Sequence, residues 1–464
     1  MTVGSVDLLL IGTIVAGGLT LIALTAWRPV IGGIVICLAV PLTAGLNVGS
    51  LGSFLKPDQV LIVLVLAGVM LRELISGGKI RYGLLDLAII AYCVGEIMIP
   101  FLVVWLGGTA LDLDTLHTIA APGAYLVVYL IFAREQVDPP RLRLYCNMAM
   151  ASVVIVSLIG ILELLDAPFV RDLMAAAYET ETPPPWDSVY RATSTVIHFS
   201  GLGAFSLFGY TLALSLSTSK APGYNQWWLA GVMVAGLVGI IASLTYAPAV
   251  ALPVITAVVC LRFRHVPRNV WLLGAGGVAL CLILWPFLLE RINQQLINGA
   301  SLLSPETLTT RIRYWQEFFY PAWVQHGLIF GTGTVLPAEI PVPLSQFVDN
   351  AYLAQAFRGG VVGVALEVGL FLALGITGWR LTGRGAGQQC ALGATLLALT
   401  IGLVALDVTS TYLAFAGFSE LFWMLVGLSA AMQRRATEPS AVALPPLAPR
   451  LARDASPSYG LTGR

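Results

Sequence analysis

The stretch GLLDLAIIAYCVGEIMIPFLVVWL (residues 83–106) decides the fold class of this chain. An α-helix rises about 1.5 Å per residue, so about 20 apolar residues cross the hydrocarbon core of a bilayer. Comparable apolar runs recur along most of the chain. Composition agrees, because 57% of the residues are hydrophobic and only 11% are charged, against about 25% charged in a soluble domain. The sequence therefore predicts an all-α polytopic membrane helix bundle.

The apolar runs predict about 12–14 transmembrane helices, which share one integral membrane domain over residues 1–432. Their candidate ranges are 7–26, 29–46, 58–75, 83–106, 117–133, 144–164, 198–217, 227–244, 247–262, 269–288, 359–378, 388–406 and 413–432. Residues 433–464 are rich in proline and small side chains, which is typical of a disordered tail. All six cysteines fall within apolar runs, and this favours small buried side chains over disulfides or a metal site.

The distribution of Lys and Arg predicts the orientation, since basic residues concentrate in cytoplasmic connections. With the N-terminus outside and the C-terminus in the cytoplasm, most of them fall inside. The outside set is Lys56, Arg171, Arg191, Arg291, Arg311, Arg313 and Arg358. Segments 165–197 and 289–358 are then extracytoplasmic loops, the second of them large. No ATP or nucleotide sugar is present on that side, so a reaction there needs a substrate already activated on the membrane.

The large outer loop contains TLTTRIRYWQEFF (307–319). If this stretch is helical, Arg311 and Trp315 are four residues apart and share one face. A guanidinium binds phosphate oxygens bidentately, and an indole ring stacks on a sugar. We therefore predict Arg311 as a catalytic residue and Arg313 and Trp315 as substrate-binding residues. The alternative is interfacial anchoring, because Trp and Arg both favour headgroup depth.

The same loop ends in VDNAYLAQAFRGG (348–360). Asp349 is our candidate general base, since a carboxylate accepts the proton of a sugar hydroxyl. Asn350 and Tyr352 are candidate substrate-binding residues through hydrogen bonds or stacking. Asp349 and Asn350 also fit the N-cap of the next helix, and this structural alternative stays open.

Between these two motifs lies HGLIFGTG (326–333). Its glycines let the backbone approach a ligand closely, although a plain turn explains the same spacing. His326 is a further candidate substrate-binding residue.

The other outer loop contains WDSVYRATSTVIHFSG (186–201). Arg191 lies outside against the general charge bias, which makes it a second candidate catalytic residue. A headgroup contact is the alternative. His198 follows seven residues later, and two helical turns place both residues on one face. We predict His198 to bind substrate, with a structural role at the end of a span as the alternative.

Taken together, these motifs resemble the O-antigen ligase and O-antigen polymerase superfamily of bacterial envelope proteins. The resemblance lies in their order: Arg191 before the small-residue-rich HFSGLGAF, Arg-x-x-x-Trp from Arg311 to Trp315, and HGLIFGTG, which is similar to a short Gly-x-Gly stretch of the family. DNAYL and FRGGVVGV then enter a span, and FSELFWMLVGLSAAM (418–432) resembles the family's ending. The architecture covers most of the chain, whereas the motifs cover about a tenth of it.

The resemblance implies a glycosyltransferase of the bacterial inner (plasma) membrane that polymerises or ligates polyprenyl-diphosphate-linked O-antigen or exopolysaccharide on the periplasmic side. Arg191 and Arg311 would bind the diphosphate of the lipid-linked glycan donor, and a glycan or lipid would be the acceptor. Ligases often carry His at the position of Asp349, so polymerase is favoured over ligase. SLTYAPAV (243–250) lacks the arginine that the family often has there. Membrane lipid and a polysaccharide chain-length regulator are the further expected partners.

The expected chemistry requires no cofactor and no metal, because diphosphate is already a competent leaving group and segments 165–197 and 289–358 contain no Asp-x-Asp pair. The lack of basic clusters in polar segments argues against a nucleic-acid partner. Two other classes remain open. One is a transporter or flippase of lipid-linked glycan that uses the acids Glu96, Glu367 and Glu420, which lie within spans. The other is a non-catalytic envelope assembly factor.

Overall fold

A computed structural model describes residues 5–47, 56–76, 82–108, 111–135, 138–179, 190–264, 276–277, 279–296, 306–334, 336–337, 339–341, 344, 348–384 and 387–437. Within these residues the chain is helical, and extended pairing is limited to an isolated bridge between Leu46 and Tyr178. Eight helices in the described part are long and apolar enough to cross a membrane, and three shorter apolar helices accompany them. The predicted all-α polytopic class is confirmed.

The helices are α1 Ser5–Trp27, α2 Pro29–Thr43, α3 Pro57–Ser76, α4 Leu84–Leu106, α5 Leu113–Ala120, α6 Pro122–Ala133, α7 Pro139–Leu164, α8 Val170–Ala177, α9 Phe199–Thr218, α10 Gln226–Ala242, α11 Tyr246–Phe263, α12 Trp285–Gln295, α13 Glu306–Tyr314, α14 Tyr320–His326, α15 Ala351–Arg384, α16 Gln388–Leu406 and α17 Phe418–Thr437. Helices α13 and α14 continue through one wider π turn, Trp315–Phe319. Each predicted span coincides with one or two of these helices, except 269–288, of which residues 269–275 and 278 lie outside the described residues. Helix α17 continues beyond 432 to Thr437, and the rest of the predicted tail also lies outside them.

Helices α9 and α17 are the deeply buried centre of the bundle. Of the apolar window in α9, 94% is buried, and every residue from 418 to 432 in α17 is buried. Helix α9 packs against α7, α10, α11 and α16, while α17 packs against α6, α15 and α16. The fully buried Trp423 stacks on Tyr125, with ring centroids 5.7 Å apart. The site described below is therefore built on a rigid core.

Helix α15 is broken at Gly360, where φ is +63° and ψ is −156°. Just after the break, the amide of Val361 donates to the Leu328 carbonyl at 2.9 Å, and the amide of Val362 donates to the Ile329 carbonyl at 3.3 Å. Backbone groups freed by a helix break inside a membrane protein must find partners within the protein. The Leu328 and Ile329 carbonyls, which precede α15 in the chain, supply these partners. The surrounding fold therefore stabilises the break.

The glycine-rich stretch 326–333 is the segment that fills the break. The amide of Thr332 donates to the Phe357 carbonyl at 2.6 Å, and Gly331 has φ +75°. A Cβ on Gly331 would overlap that same Phe357 carbonyl oxygen. The sequence predicted close backbone approach here, to a ligand or in a plain turn. The structure shows that the partner of this backbone is helix α15 itself.

The short arm of α15 before the break, residues 351–359, contacts the end of α16. The amide of Ala351 donates to the Asp407 carbonyl at 2.7 Å, and the Tyr352 hydroxyl donates to the Val404 carbonyl at 2.9 Å. The sequence analysis placed the start of this span at 359, because residues up to 358 were assigned to the large outer loop. Helical structure begins eight residues earlier, since the arm packs against protein.

Glu96, within α4, forms an ion pair with Arg358 of the short arm. Its Oε2 lies 3.2 Å from Arg358 Nε, and the Gln355 amide donates to its other oxygen. Arg358 Nη2 also donates to the carbonyls of Thr118 and Ile119, each at 3.0 Å. Glu96 is only 5% exposed. This buried acid therefore joins α4 to α15, a contact that spacing within its own span could not reveal.

Replacing Arg358 with Ala is expected to destabilise the protein by about 3–5 kcal/mol, because it leaves a buried carboxylate without its counter-charge. Thermal unfolding of the purified protein in detergent measures this loss. The double variant Arg358→Met with Glu96→Gln removes both charges and should recover much of the stability. A single variant as stable as the wild type would contradict the pairing.

Candidate functional site

At one end of the bundle, the starts of α9, α15 and α17 lie close to the end of α16. We call this region the gathered end. The contact between Ala351 and Asp407 joins α15 to α16, and the loop after α16 packs on the start of α9. At the other end of α17, Arg434 Nη1 lies 2.6 Å from Asp86 Oδ1. Helix α17 spans about 30 Å, so the gathered end is well separated from the ion pair of Arg434 and Asp86.

Arg311 and Asp349 form an ion pair at the gathered end. Arg311 Nη2 lies 3.0 Å from Asp349 Oδ2, and the two side chains are 34% and 27% exposed. Arg311 Nη1 also donates to the Thr409 carbonyl at 3.2 Å. Two residues that the sequence proposed separately are thus in direct contact. The guanidinium thus has two partners while part of it stays open to the surroundings.

Arg191 lies over an aromatic ring at the start of α9. Its Cζ is 3.3 Å from the centre of the Phe199 ring, a cation–π arrangement. The neighbouring His198 caps the helix, because its Nδ1 accepts from the Ser200 amide at 2.9 Å. The His198 ring also stacks on Phe415, with centroids 4.6 Å apart. A structural role for His198 is therefore present in the fold.

Tyr412 connects the Arg311–Asp349 ion pair to the start of α9, where Arg191 lies over Phe199. The Tyr412 ring centroid lies 5.4 Å from that of Phe415, and its hydroxyl lies near the Thr409 and Ser200 side chains. Thr409 is the residue whose carbonyl accepts from Arg311. Burial raises the pKa of Tyr412, so the phenol remains a donor. One continuous chain of contacts thus runs from Arg311 through Tyr412 and Phe415 to the start of α9.

Tyr412 was missed by sequence reasoning. It lies in TSTYLAFAG (409–417), just before the last span, and an aromatic residue there is common in membrane proteins of any function. Neither its type nor its spacing distinguished it from the other tyrosines. Only the packing of the loop against α9 brings it between the arginines.

Glu163, at the end of α7, holds the segment that carries Arg191. It is 0% exposed, and its Oε2 accepts from the Ser194 amide at 2.8 Å. Its Oε1 accepts from the Tyr190 hydroxyl and from the amide and hydroxyl of Thr193, each at 3.4 Å. Burial, followed by the hydrogen bond to Glu163, raises the pKa of Tyr190, which keeps the phenol protonated as a donor.

Two predicted substrate-binding residues beside Asp349 have structural partners. The Asn350 Oδ1 accepts from the Leu353 amide at 3.0 Å, which is the capping role left open from the sequence. Tyr352 donates to the end of α16, as described above. Both residues lie next to the ion pair, but these side-chain groups are already engaged in holding the short arm of α15.

The other predicted residues lie farther along the α13–α14 segment. Trp315 is partly buried against the apolar cluster that contains Phe319 and Phe357. Arg313 is exposed, with its Cζ 5.5 Å from the Tyr314 ring. The exposed His326 places Nε2 3.1 Å from Glu339 Oε1. The structure brings Arg311 and Asp349 into direct contact, and it places Trp315, Arg313 and His326 against these other partners.

The three acids within helices have different environments. Glu96 is paired with Arg358, as described above. Glu420 caps α17, because its Oε2 accepts from the Gly417 amide at 2.6 Å. Glu367, within α15, is 4% exposed, and within the described residues its Oε2 has no hydrogen-bond partner. Two of the three therefore have evident structural roles.

The gathered end combines two guanidinium groups, a carboxylate, a phenol and several aromatic rings. Guanidinium groups bind phosphate oxygens, the carboxylate accepts a proton, and aromatic faces stack on sugars. These groups suit an anionic, sugar-bearing ligand at the membrane surface. No protein-family model and no curated protein matches the chain.

Proposed function

We propose that the protein is a membrane glycosyltransferase that polymerises or ligates polyprenyl-diphosphate-linked surface polysaccharide. The observation that carries the proposal is the ion pair between Arg311 and Asp349, connected by side-chain contacts to the segment of Arg191. The motif order that resembles the O-antigen ligase and polymerase superfamily supports the same reaction. Asp349 stands where ligases often carry His, which favours polymerisation.

In this mechanism Arg191 and Arg311 bind the diphosphate of the donor. The hydroxyl oxygen of the acceptor attacks the anomeric carbon of the donor sugar, and the bond from that carbon to the diphosphate oxygen breaks. The hydroxyl proton passes to the Asp349 carboxylate, and polyprenyl diphosphate leaves. Negative charge grows on the leaving oxygen, so preorganised donors at that position stabilise the transition state more than the ground state.

Asp349 has two successive roles in this scheme. Without donor, it holds Arg311 in place through the 3.0 Å contact. The donor diphosphate carries more negative charge and offers the guanidinium a bidentate partner. Arg311 then turns to the diphosphate, and the released carboxylate accepts the proton of the sugar hydroxyl. Donor binding and base activation are thereby coupled.

The bacterial inner membrane, with the site on the periplasmic side, is the location that goes with this reaction. The asymmetry of Lys and Arg along the sequence supports that orientation. The donor is a lipid-linked glycan, the acceptor is a glycan or lipid, and a polysaccharide chain-length regulator is a fitting partner.

A deletion strain analysed for lipid-linked intermediates tests the function. We expect single repeat units to accumulate on the carrier, because polymerisation is lost while earlier steps continue. Full-length polymer left on the carrier would identify a ligase instead. A normal profile of intermediates and surface polysaccharide would contradict both activities.

The competing flippase hypothesis has one observation in its favour, the buried Glu367 described above. Replacing Glu367 with Gln is expected to change polysaccharide production by less than about twofold, because the residue lies outside the arginine site and Gln preserves its volume. Production by a plasmid-complemented deletion strain measures this. A collapse of lipid-linked glycan flux in this variant, with Arg311→Ala unaffected, would favour transport.

A further inference from the structure

We propose that Glu163 is a positioning residue for Arg191, whose place over the Phe199 ring is fixed by the hydrogen bonds from segment 190–194 to the buried Glu163 carboxylate. The functional part of this inference rests on the role that the proposed function gives to Arg191. The structural part stands on the contacts alone.

Strained backbone conformations occur within segment 190–194 and just after it. Ser194 has φ +52° and Ile197 has φ +68°, and both are residue types that rarely adopt the left-handed region. Such conformations persist only where surrounding contacts enforce them. Glu163 accepts the amide of Ser194 itself, so the carboxylate stabilises the segment at a strained residue.

Neutral groups hold the same segment at other points. The Ala192 amide donates to the Ala242 carbonyl at 3.3 Å, and the Ser194 hydroxyl donates to the Val156 carbonyl at 2.8 Å. Each of these is one bond between neutral partners. Glu163 accepts from three residues of the segment, Tyr190, Thr193 and Ser194, so it holds more of the segment than either of these single bonds. The carboxylate is therefore the main anchor.

Arg171 reinforces this anchor from the membrane surface. Its Nε donates to the Glu163 carbonyl at 2.7 Å, and its Cζ lies 4.0 Å from the centre of the Tyr190 ring. The guanidinium thus covers the phenol that donates to the carboxylate.

Both oxygens of Glu163 act as acceptors, and this makes Gln a sensitive probe. A glutamine at this position keeps the shape of the side chain but has only one acceptor oxygen. Turned toward Ser194, its NH₂ group would face a backbone amide that cannot accept. Turned the other way, it would face the Thr193 amide and require the Tyr190 hydroxyl to accept instead of donate. In either orientation the segment loses a hydrogen bond from a backbone amide, so Glu163→Gln should loosen it while leaving α7 intact.

Limited trypsin digestion of the purified protein in detergent reports on the segment directly. Cleavage after Arg191 requires the segment to open, and we expect it to be at least about tenfold faster in Glu163→Gln than in wild type. The matched control is Ser157→Ala on the same helix. Ser157 is also fully buried, but its hydroxyl bonds to that of Ser206 and not to the segment. This control should be cleaved at the wild-type rate.

Polysaccharide production reports on the role of the segment. Glu163→Gln should reduce product at least about tenfold at normal membrane abundance, and Glu163→Asp, which keeps the charge, should restore part of it. Combined with Arg191→Ala, Glu163→Gln should add no further loss, because both act through one guanidinium. A residue with only a general structural role would instead lower abundance in both backgrounds.

Unchanged cleavage after Arg191 in Glu163→Gln would overturn the inference, and so would a full additive loss in the double variant. Failure of the proposed function looks different. If Arg191→Ala and Arg311→Ala both made normal polysaccharide while Glu163→Gln still accelerated cleavage, the anchoring of the segment would stand and the glycosyltransferase would not.

Discussion

Replacing Arg311 with Ala is expected to lower polysaccharide formation by at least about 10²–10³-fold, the usual cost of removing a donor that faces developing negative charge. Arg191→Ala should have an effect of similar size. Arg311→Lys keeps the charge but loses the planar fork that engages Asp349 and Thr409, so an intermediate activity is expected. Measured against membrane abundance by immunoblot, surface polysaccharide gives the comparison.

Lys56→Ala is the matched control for these arginine variants. Lys56 is another predicted extracytoplasmic cation, and its Nζ lies 2.8 Å from Glu179 Oε2 in a pair that is 40% and 48% exposed. Exposed pairs contribute little to stability, so this variant should retain wild-type activity. Equal losses in Lys56→Ala and Arg311→Ala would point to a general charge effect and remove the assigned role of Arg311.

Replacing Gly360 with Ala is expected to destabilise the protein by about 3 kcal/mol or more. A non-glycine residue at its positive φ carries strain of about 1–3 kcal/mol. In addition, the new methyl group would overlap the Ile329 carbonyl oxygen, the acceptor for the Val362 amide. The midpoint of thermal unfolding in detergent should fall, and polysaccharide production should fall with it because the break positions the Asp349 end of α15.

Gly369 provides the control on the same helix. A Cβ at Gly369 would meet nothing within 4 Å, and alanine favours a helix over glycine by about 1 kcal/mol. Gly369→Ala should therefore be neutral or slightly stabilising. If Gly360→Ala behaved in the same way, the break in α15 could not depend on that glycine.

The spans were predictable because their signal is local. A run such as 83–106 is apolar over the length of a bilayer crossing, and the structure forms α4 there. Burial within the bundle was not predictable in this way. FSELFWMLVGLSAAM (418–432) is no more apolar than its neighbours, yet it is enclosed on every side. Hydropathy reports only that a helix avoids water, and both lipid and protein satisfy that requirement.

The candidate site was predicted residue by residue but not as an arrangement. Arg311 and Asp349 were chosen for their chemistry, and their contact depends on where α13 and α15 pack. Glu163 was not singled out, because a lone acid at the end of a span is unremarkable in sequence. The role of Glu163 follows from its contacts with segment 190–194, and only the tertiary fold brings that segment close to it.

The break in α15 likewise could not be predicted from the local sequence. The pair Gly359 and Gly360 was visible, and so was HGLIFGTG, but nothing local states that one fills the other. The hydrogen bond from the Val361 amide to the Leu328 carbonyl joins stretches that are separated by a polar segment. Sequence patterns describe each stretch by itself, whereas the pairing is decided by the packing of the whole bundle.

The enclosed position of α17 has a consequence for biogenesis. All other described helices precede it in the chain, so they enter the bilayer while the space it will occupy is still unfilled. Until α17 arrives, lipid or the insertion machinery has to line that space, and the early helices remain loosely associated. Assembly should therefore be cooperative and late, and a protein shortened before Phe418 should be degraded rather than accumulate as a partly working bundle.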